Sequence, residues 1–184
     1  MGVLATRKEE WLAALREERV FLGSVMGSLE GWLGIRSVRT LELRVRRQSE
    51  NAGKLVKWLD ECLRDQDGHH KEDAVRGVFD RVQHASLQKE DMKWLKDQMP
   101  NGFGPVFALS TKHEEYARQL PSKLELFSHA TSLGGVESLI EWRAMSDTTV
   151  DRTLLRVSVG IEDWEDLKHD LLNGCKQITD QERK

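Results

Sequence analysis

The sequence predicts an α+β fold: a long amphipathic helix, then a mainly antiparallel sheet with helices on one face. Three observations carry this expectation. Residues 37–63 place apolar side chains at alternating three- and four-residue steps. After a polar, charged break at residues 65–73, short strand-like runs alternate with short helical ones. The chain then closes on an amphipathic helix over residues 163–177.

Taken in order, residues 2–6 form a short apolar run, too short for a helix but suited to an inner strand of a sheet. Residues 8–18 read as a helix with Trp11, Leu12 and Leu15 on one face. The next stretch, residues 24–35, carries Gly27, Gly31 and Gly34 beside Leu29, Trp32 and Leu33, with Gly23 just before it. Each glycine weakens a helix by ~1 kcal/mol, which predicts close packing of backbones there. The long helix follows, its seam made by Val38, Leu41, Val45, Ala52, Leu55, Leu59 and Cys62, with Gln48 as the polar interruption. A coiled-coil dimer and a bridging helix packed along its own domain both fit this narrow seam. Its short length and mixed flanking charges favour the bridging helix.

Beyond the charged break, residues 77–83 suit a strand and residues 89–98 a helix with Met92 and Leu95 inward. Two prolines and two glycines within residues 100–105 interrupt the chain. Residues 106–110 then read as a strand and 112–120 as a helix, followed by strands at 124–130, 137–142 and 154–159. In the closing helix, Trp164, Leu167, Leu171 and Cys175 form one stripe. Glu162, Asp163, Glu165 and Asp166 sit at its N-terminal end, where the helix dipole favours acids.

Composition narrows the function classes. Twenty-eight Lys and Arg against 31 Asp and Glu give a net charge of −3, which leaves no electrostatic footprint for nucleic acid or an anionic membrane. No apolar run approaches the ~20 residues needed to span a bilayer. The N-terminus lacks the apolar core of a signal peptide, so the cytosol is the expected compartment. Cys62 and Cys175, far apart in sequence, are expected to be free thiols. His69-His70 has no third ligand nearby in sequence, and no metal site is expected. Arg36, Arg39, Arg44, Arg46 and Arg47 are interleaved with Glu30, Glu42 and Glu50, as in a solvated or ion-paired face.

Two features bear on chemistry. Residues 132–139 place Gly134-Gly135 between strand-like runs, a tight connection with positive φ. No helix start follows these glycines, so a phosphate-binding loop is disfavoured. In the strand at 154–159, alternation puts Leu155, Val157 and Val159 on one face, and Leu154, Arg156 and Ser158 on the other. A guanidinium in the middle of a short apolar strand needs an anionic partner. That partner is either an internal acid or a substrate carboxylate gripped by the guanidinium fork.

Four segments in order then resemble one family: FLGSVMGSLEGWLGIRSVRTLELRVRRQSENAGKLVKWL (21–59), QMPNGFGPVFAL (98–109), LFSHATSLGGVESLIEW (126–142) and LLRVSVGIEDWEDLKHDL (154–171). Together they resemble the transsulfuration enzymes that depend on pyridoxal 5'-phosphate (PLP), such as cystathionine γ-synthase and the cystathionine lyases. The ending looks most like fungal cystathionine γ-synthase-like members, and the likeness runs from residue 1 to about residue 178. It implies the C-terminal portion of a type I PLP-dependent transferase fold. Residues 1–36 would be a remnant of the large PLP-binding domain, with 2–6 in its sheet. Residues 37–64 would be the bridging helix, 75–178 the small α+β domain, and 179–184 a tail.

Residue by residue, the resemblance implies that Arg156 holds the substrate α-carboxylate. It implies that the backbone of Ser138 lines the same pocket and that Glu137 recognises the distal part of the substrate. The substrate would be an amino acid of the homoserine ester, cystathionine or cysteine type. Arg156 would supply binding and orientation, not bond breaking. The lysine that forms the imine with PLP, and the residues around the ring and phosphate, would precede the segment that begins this chain. No catalytic residue is therefore expected here, and neither PLP binding nor activity is expected of the chain alone. The family's stretch after the Glu-Ser-Leu strand is replaced by a shorter one, residues 143–149. Two other readings stay open: a non-catalytic fragment that binds a full-length relative, and an unrelated α+β binding module.

Overall fold

The computed structural model describes residues 3–64 and 73–182, so His69 and His70 lie outside the described residues. The chain divides into two compact units, Met1–Glu42 and Leu43–Lys184. In the first, α1 (Glu9–Leu22) and α2 (Ser28–Val38) bury none of their side chains. Gly23 ends α1 in the left-handed region, φ 68°, which a side chain disfavours. The expected close approach of backbones is not found at Gly31, where an added Cβ would meet nothing within 4 Å. At Gly27 it would meet only the Glu30 side chain. Among the described residues, 3–6 join no ladder, and Val3 and Leu4 are exposed.

The long helix is broken near Arg39 and Thr40, so that α2 ends at Val38 and α3 runs over Leu41–Arg64. Thr40 N donates to the Ser37 carbonyl at 3.3 Å and its hydroxyl reaches the same oxygen at 3.5 Å. This three-residue bond tightens the last turn, and a β-branched hydroxyl residue competes there with the helix ladder. Along α3 the predicted seam splits. Val45 is exposed, whereas Ala52, Leu55, Leu59 and Cys62 are buried.

The second unit continues with α4 (Asp73–Val78), β1 (Phe79–Gln83), α5 (Met92–Gln98), β2 (Val106–Thr111) and α6 (Glu114–Gln119). It ends with β3 (Ser128–His129), β4 (Leu139–Trp142), β5 (Leu154–Ser158) and α7 (Trp164–Glu182). The sheet order is β1-β2-β5-β4-β3. All pairings are antiparallel except β3 with β4, so the sheet is mainly antiparallel, as expected, with one parallel pair.

The strand expected at 124–130 shrinks to two residues for a visible reason. Glu125, Leu126 and Phe127 donate their backbone N–H groups to the Asp170 carboxylate at 2.9, 2.9 and 3.3 Å, not to a ladder. The closing helix, expected to stop at 177, continues into the predicted tail because Ile178 is buried in the core.

One apolar cluster joins Leu55 and Leu59 of α3, Leu167 and Leu171 of α7, and Ala117 of α6 to the sheet. The sheet contributes Phe107, Leu109, Ile140, Leu155 and Val157, which alternate along their strands as period-2 burial requires. Helices therefore cover one face of the sheet. On the other face the register aligns Ala108, Arg156 and Glu141 across three strands.

Candidate functional site

Arg156 sits in the middle of β5, on the face turned away from the helix-covered core, as alternation predicts. Its side chain is 21% exposed. The internal acid that the sequence left open exists: Glu141, directly opposite on β4, lies 3.0 Å from Arg156 Nη2 and is fully buried. Arg156 Nη2 also donates to the Ser132 carbonyl at 2.9 Å and to the Thr131 carbonyl. All of these contacts use one nitrogen. Arg156 Nε is buried without any partner among the described residues.

Glu141 was not foreseen, although alternation alone places it on the same face as Leu139 and opposite Ile140 and Trp142. Its carboxylate is fully engaged. Oε2 also accepts from Arg143 Nη1 at 2.9 Å, and Oε1 accepts from Ser146 Oγ at 2.6 Å. Burial pushes the Glu141 carboxyl up, but the Ser146 hydroxyl and the Arg143 and Arg156 guanidiniums more than offset it. The carboxyl is held below its ordinary range, and charged.

Ser138 occupies a scaffolding position beside this cluster. Its backbone N–H donates to Glu162 Oε1 at 2.6 Å, its hydroxyl donates to Glu162 Oε2 at 2.9 Å, and its carbonyl accepts from Ser128 N at 3.0 Å. The hydroxyl oxygen also accepts from Gly160 N at 2.8 Å. Both backbone groups of Ser138 are thus occupied internally. Gly160 is needed for this junction, because an added Cβ would lie 2.6 Å from the Glu137 carbonyl carbon and collide with the Val136 carbonyl oxygen.

Glu137 itself is exposed, and its carboxylate folds over Gly135, where it would meet an added Cβ. Gly134 has φ 76°, the positive value expected of the Gly-Gly turn, and its N–H donates to Ser158 Oγ at 3.0 Å. An acid lying over Gly135 disfavours an anion at that glycine.

Two further residues emerge from α3. Gln48, read as an interruption of the seam, is buried and donates to the Gly135 carbonyl. Asn51, fully buried, donates to the carbonyls of Gly160 and Glu162 at 3.2 and 2.8 Å. Polar residues on an otherwise apolar helical stripe are the sequence pattern that could have revealed them. Arg47, from the basic cluster, pairs with Asp163 at 3.7 Å near the start of α7.

A PLP site needs a lysine amine for the imine and a cradle for the phosphate. Among the described residues no lysine is buried. The groups in contact with Arg156 are Glu141 and two carbonyls. The described residues therefore do not, by themselves, fit the cofactor, and no chemical step is derived through it.

The family described as "Cys/Met metabolism PLP-dependent enzyme" matches residues 1–176. A putative cystathionine γ-lyase of Streptomyces coelicolor is 31% identical over 98% of the chain and 43% of its own length. The cystathionine γ-synthase of Escherichia coli is 31% identical over 84% of the chain and 40% of its own length. The solved structure of metB from Corynebacterium glutamicum matches with a TM-score of 0.79 and 26% identity, covering 95% of this chain and 44% of that one. The chain thus spans less than half the length of the relatives it matches. A family match across nearly all its residues, joined to a shared fold, makes the chain a member of the Cys/Met metabolism PLP-dependent enzyme family.

Proposed function

We propose that the chain is the carboxylate-holding portion of a PLP-dependent transsulfuration enzyme, acting on an amino acid of the homoserine ester, cystathionine or cysteine type. Arg156 is the residue that grips the substrate α-carboxylate. One observation carries this reading. Arg156 is held entirely through Nη2, while Nε lies buried without a partner among the described residues. An unsatisfied buried donor costs about 1–3 kcal/mol, and a bound carboxylate on that edge of the guanidinium would remove the penalty. Gripping the carboxylate orients the amino acid and excludes water from one side of it.

The side of the site that breaks bonds comes from residues other than those described. Purified chain incubated with PLP and then borohydride is expected to show no adduct at a single stoichiometric lysine by mass spectrometry of its peptides. Such an adduct, accompanied by cleavage or formation of a C–S bond, would show that the chain works alone.

A second reading has its own support: a non-catalytic fragment that binds a full-length relative. The observation favouring it is the pair of helices α1 and α2, which carry Phe21, Leu22, Leu29 and Trp32 and bury none of them. The two readings differ in what covers those helices, and co-purification with a full-length relative against the matching cofactor domain separates them.

A further inference from the structure

We propose that Glu141, Arg143 and Ser146 are positioning residues for Arg156: Glu141 clamps one end of its guanidinium, and Arg143 keeps the cluster positive enough to attract a carboxylate. This rests on the reading of Arg156 as the substrate-holding residue. The first support is geometric. Strand register sets Glu141 opposite Arg156, and the glutamate side chain is 0% exposed. A buried carboxylate survives only when paired and hydrogen-bonded, and Ser146 Oγ, 2.6 Å from Oε1, completes its shell.

The second support is the one-sided form of the clamp. An ordinary structural pair between arginine and a carboxylate is commonly bidentate, with two parallel bonds across the fork. Here Glu141 and the carbonyls of Thr131 and Ser132 all converge on Nη2. Nε is left buried and without a partner among the described residues. A guanidinium held through one terminal nitrogen, with Nε still unsatisfied, keeps donor capacity for a second anion.

The third support is charge. A lone Glu141–Arg156 pair would be neutral and would attract a substrate carboxylate weakly. Arg143 Nη1 lies 2.9 Å from the same Oε2 that Arg156 uses. Two guanidiniums around one carboxylate leave the cluster with a net positive charge. Both partners come from one short turn: Arg143 opens the 3-10 segment Arg143–Met145 and Ser146 caps it.

The test is NMR of the arginine side chains in the full chain, with acetate as the carboxylate probe. In the wild type, slow rotation about Nε–Cζ is expected to split the Arg156 Nη resonances. Glu141→Gln is expected to speed that rotation about tenfold or more, the effect of losing a charge-assisted hydrogen bond. Ser146→Ala, a milder change that decides the matter if Glu141→Gln does not fold, is expected to act in the same direction. Arg143→Met is expected to leave the rotation slow while weakening the acetate-induced shift severalfold. Unchanged rotation in Ser146→Ala and in folded Glu141→Gln overturns the clamp, and an unchanged acetate titration in Arg143→Met overturns the charge role. If acetate moves no Arg156 resonance in the wild type, the carboxylate reading fails by itself, because the rotation comparison still decides the role of Glu141.

Discussion

Two titratable side chains inside the second unit depend on staying in one protonation state. Glu141 has its carboxyl pushed up by burial, and more strongly held down by Ser146, Arg143 and Arg156. Its folded value is depressed below the ordinary 4.5, so its contribution to stability is present above 4.5 and is lost as pH falls through the folded value. His84 shows the same sign for a base. Burial lowers it below 6.5, with the Gly104 and Phe103 backbone bonds opposing. The neutral ring, bonded to Ser86 and Gly104 and packed edge-on against Phe103 and Phe107, is the form the fold accepts. Its contribution is present above 6.5 and is lost as pH falls below that value through the folded one. The urea midpoint of the second unit is therefore expected to decline in two stages on acidification, the first beginning near pH 6.5. His84→Asn, which keeps a capping side chain, is expected to abolish the first stage, and Glu141→Gln to diminish the second, to which the depressed carboxyls of Glu114, Glu115, Asp147 and Asp151 also contribute. A midpoint that stays level between neutral pH and the carboxylate range would count against the His84 assignment.

Among the elements, the shortest strand is the most instructive. Residues 124–127 have a strand-like sequence, yet a single acid from α7 takes the backbone donors of Glu125, Leu126 and Phe127, leaving β3 only Ser128 and His129. Asp170→Ala leaves three N–H groups without their charged acceptor. Each exposed or unsatisfied donor costs about 1–3 kcal/mol, so a loss of about 3 kcal/mol in unfolding free energy is expected after partial hydration. Amide exchange should accelerate first at Glu125, Leu126 and Phe127. If exchange there stays slow, the carboxylate does not hold this segment. The same case shows what sequence patterning can and cannot reveal. Strands β2 and β5 and the buried half of α3 were readable because period-2 and period-3.6 burial is local. The role of Asp170, 45 positions from Glu125, is non-local, and so are the bonds of Gln48 and Asn51 to loops more than 80 positions away. Arg156 was legible as a charge requiring a partner. Its partner Glu141 depended on strand register, which the alternation of a four-residue strand does not fix.

At the scale of the molecule, the two units differ in kind. Leu43–Lys184 has a continuous core built from helix and sheet, whereas α1 and α2 of Met1–Glu42 carry large apolar side chains and bury none. Phe21 is 80% and Leu29 65% exposed. Covering a side chain of this size contributes about 1.5–3 kcal/mol, and contiguous exposed apolar surface in soluble proteins marks an interaction site or an aggregation liability. The purified chain is therefore expected to bind a hydrophobic dye and to show a mass in sedimentation that rises with concentration. Phe21→Gln combined with Leu29→Gln is expected to reduce both effects. Neither side chain belongs to the core of the second unit, so the pair should leave its urea midpoint within about 0.5 kcal/mol of wild type, as surface changes do. A monodisperse wild-type chain that binds no dye would mean that these helices need no cover, and would remove the main support for a partner at this surface.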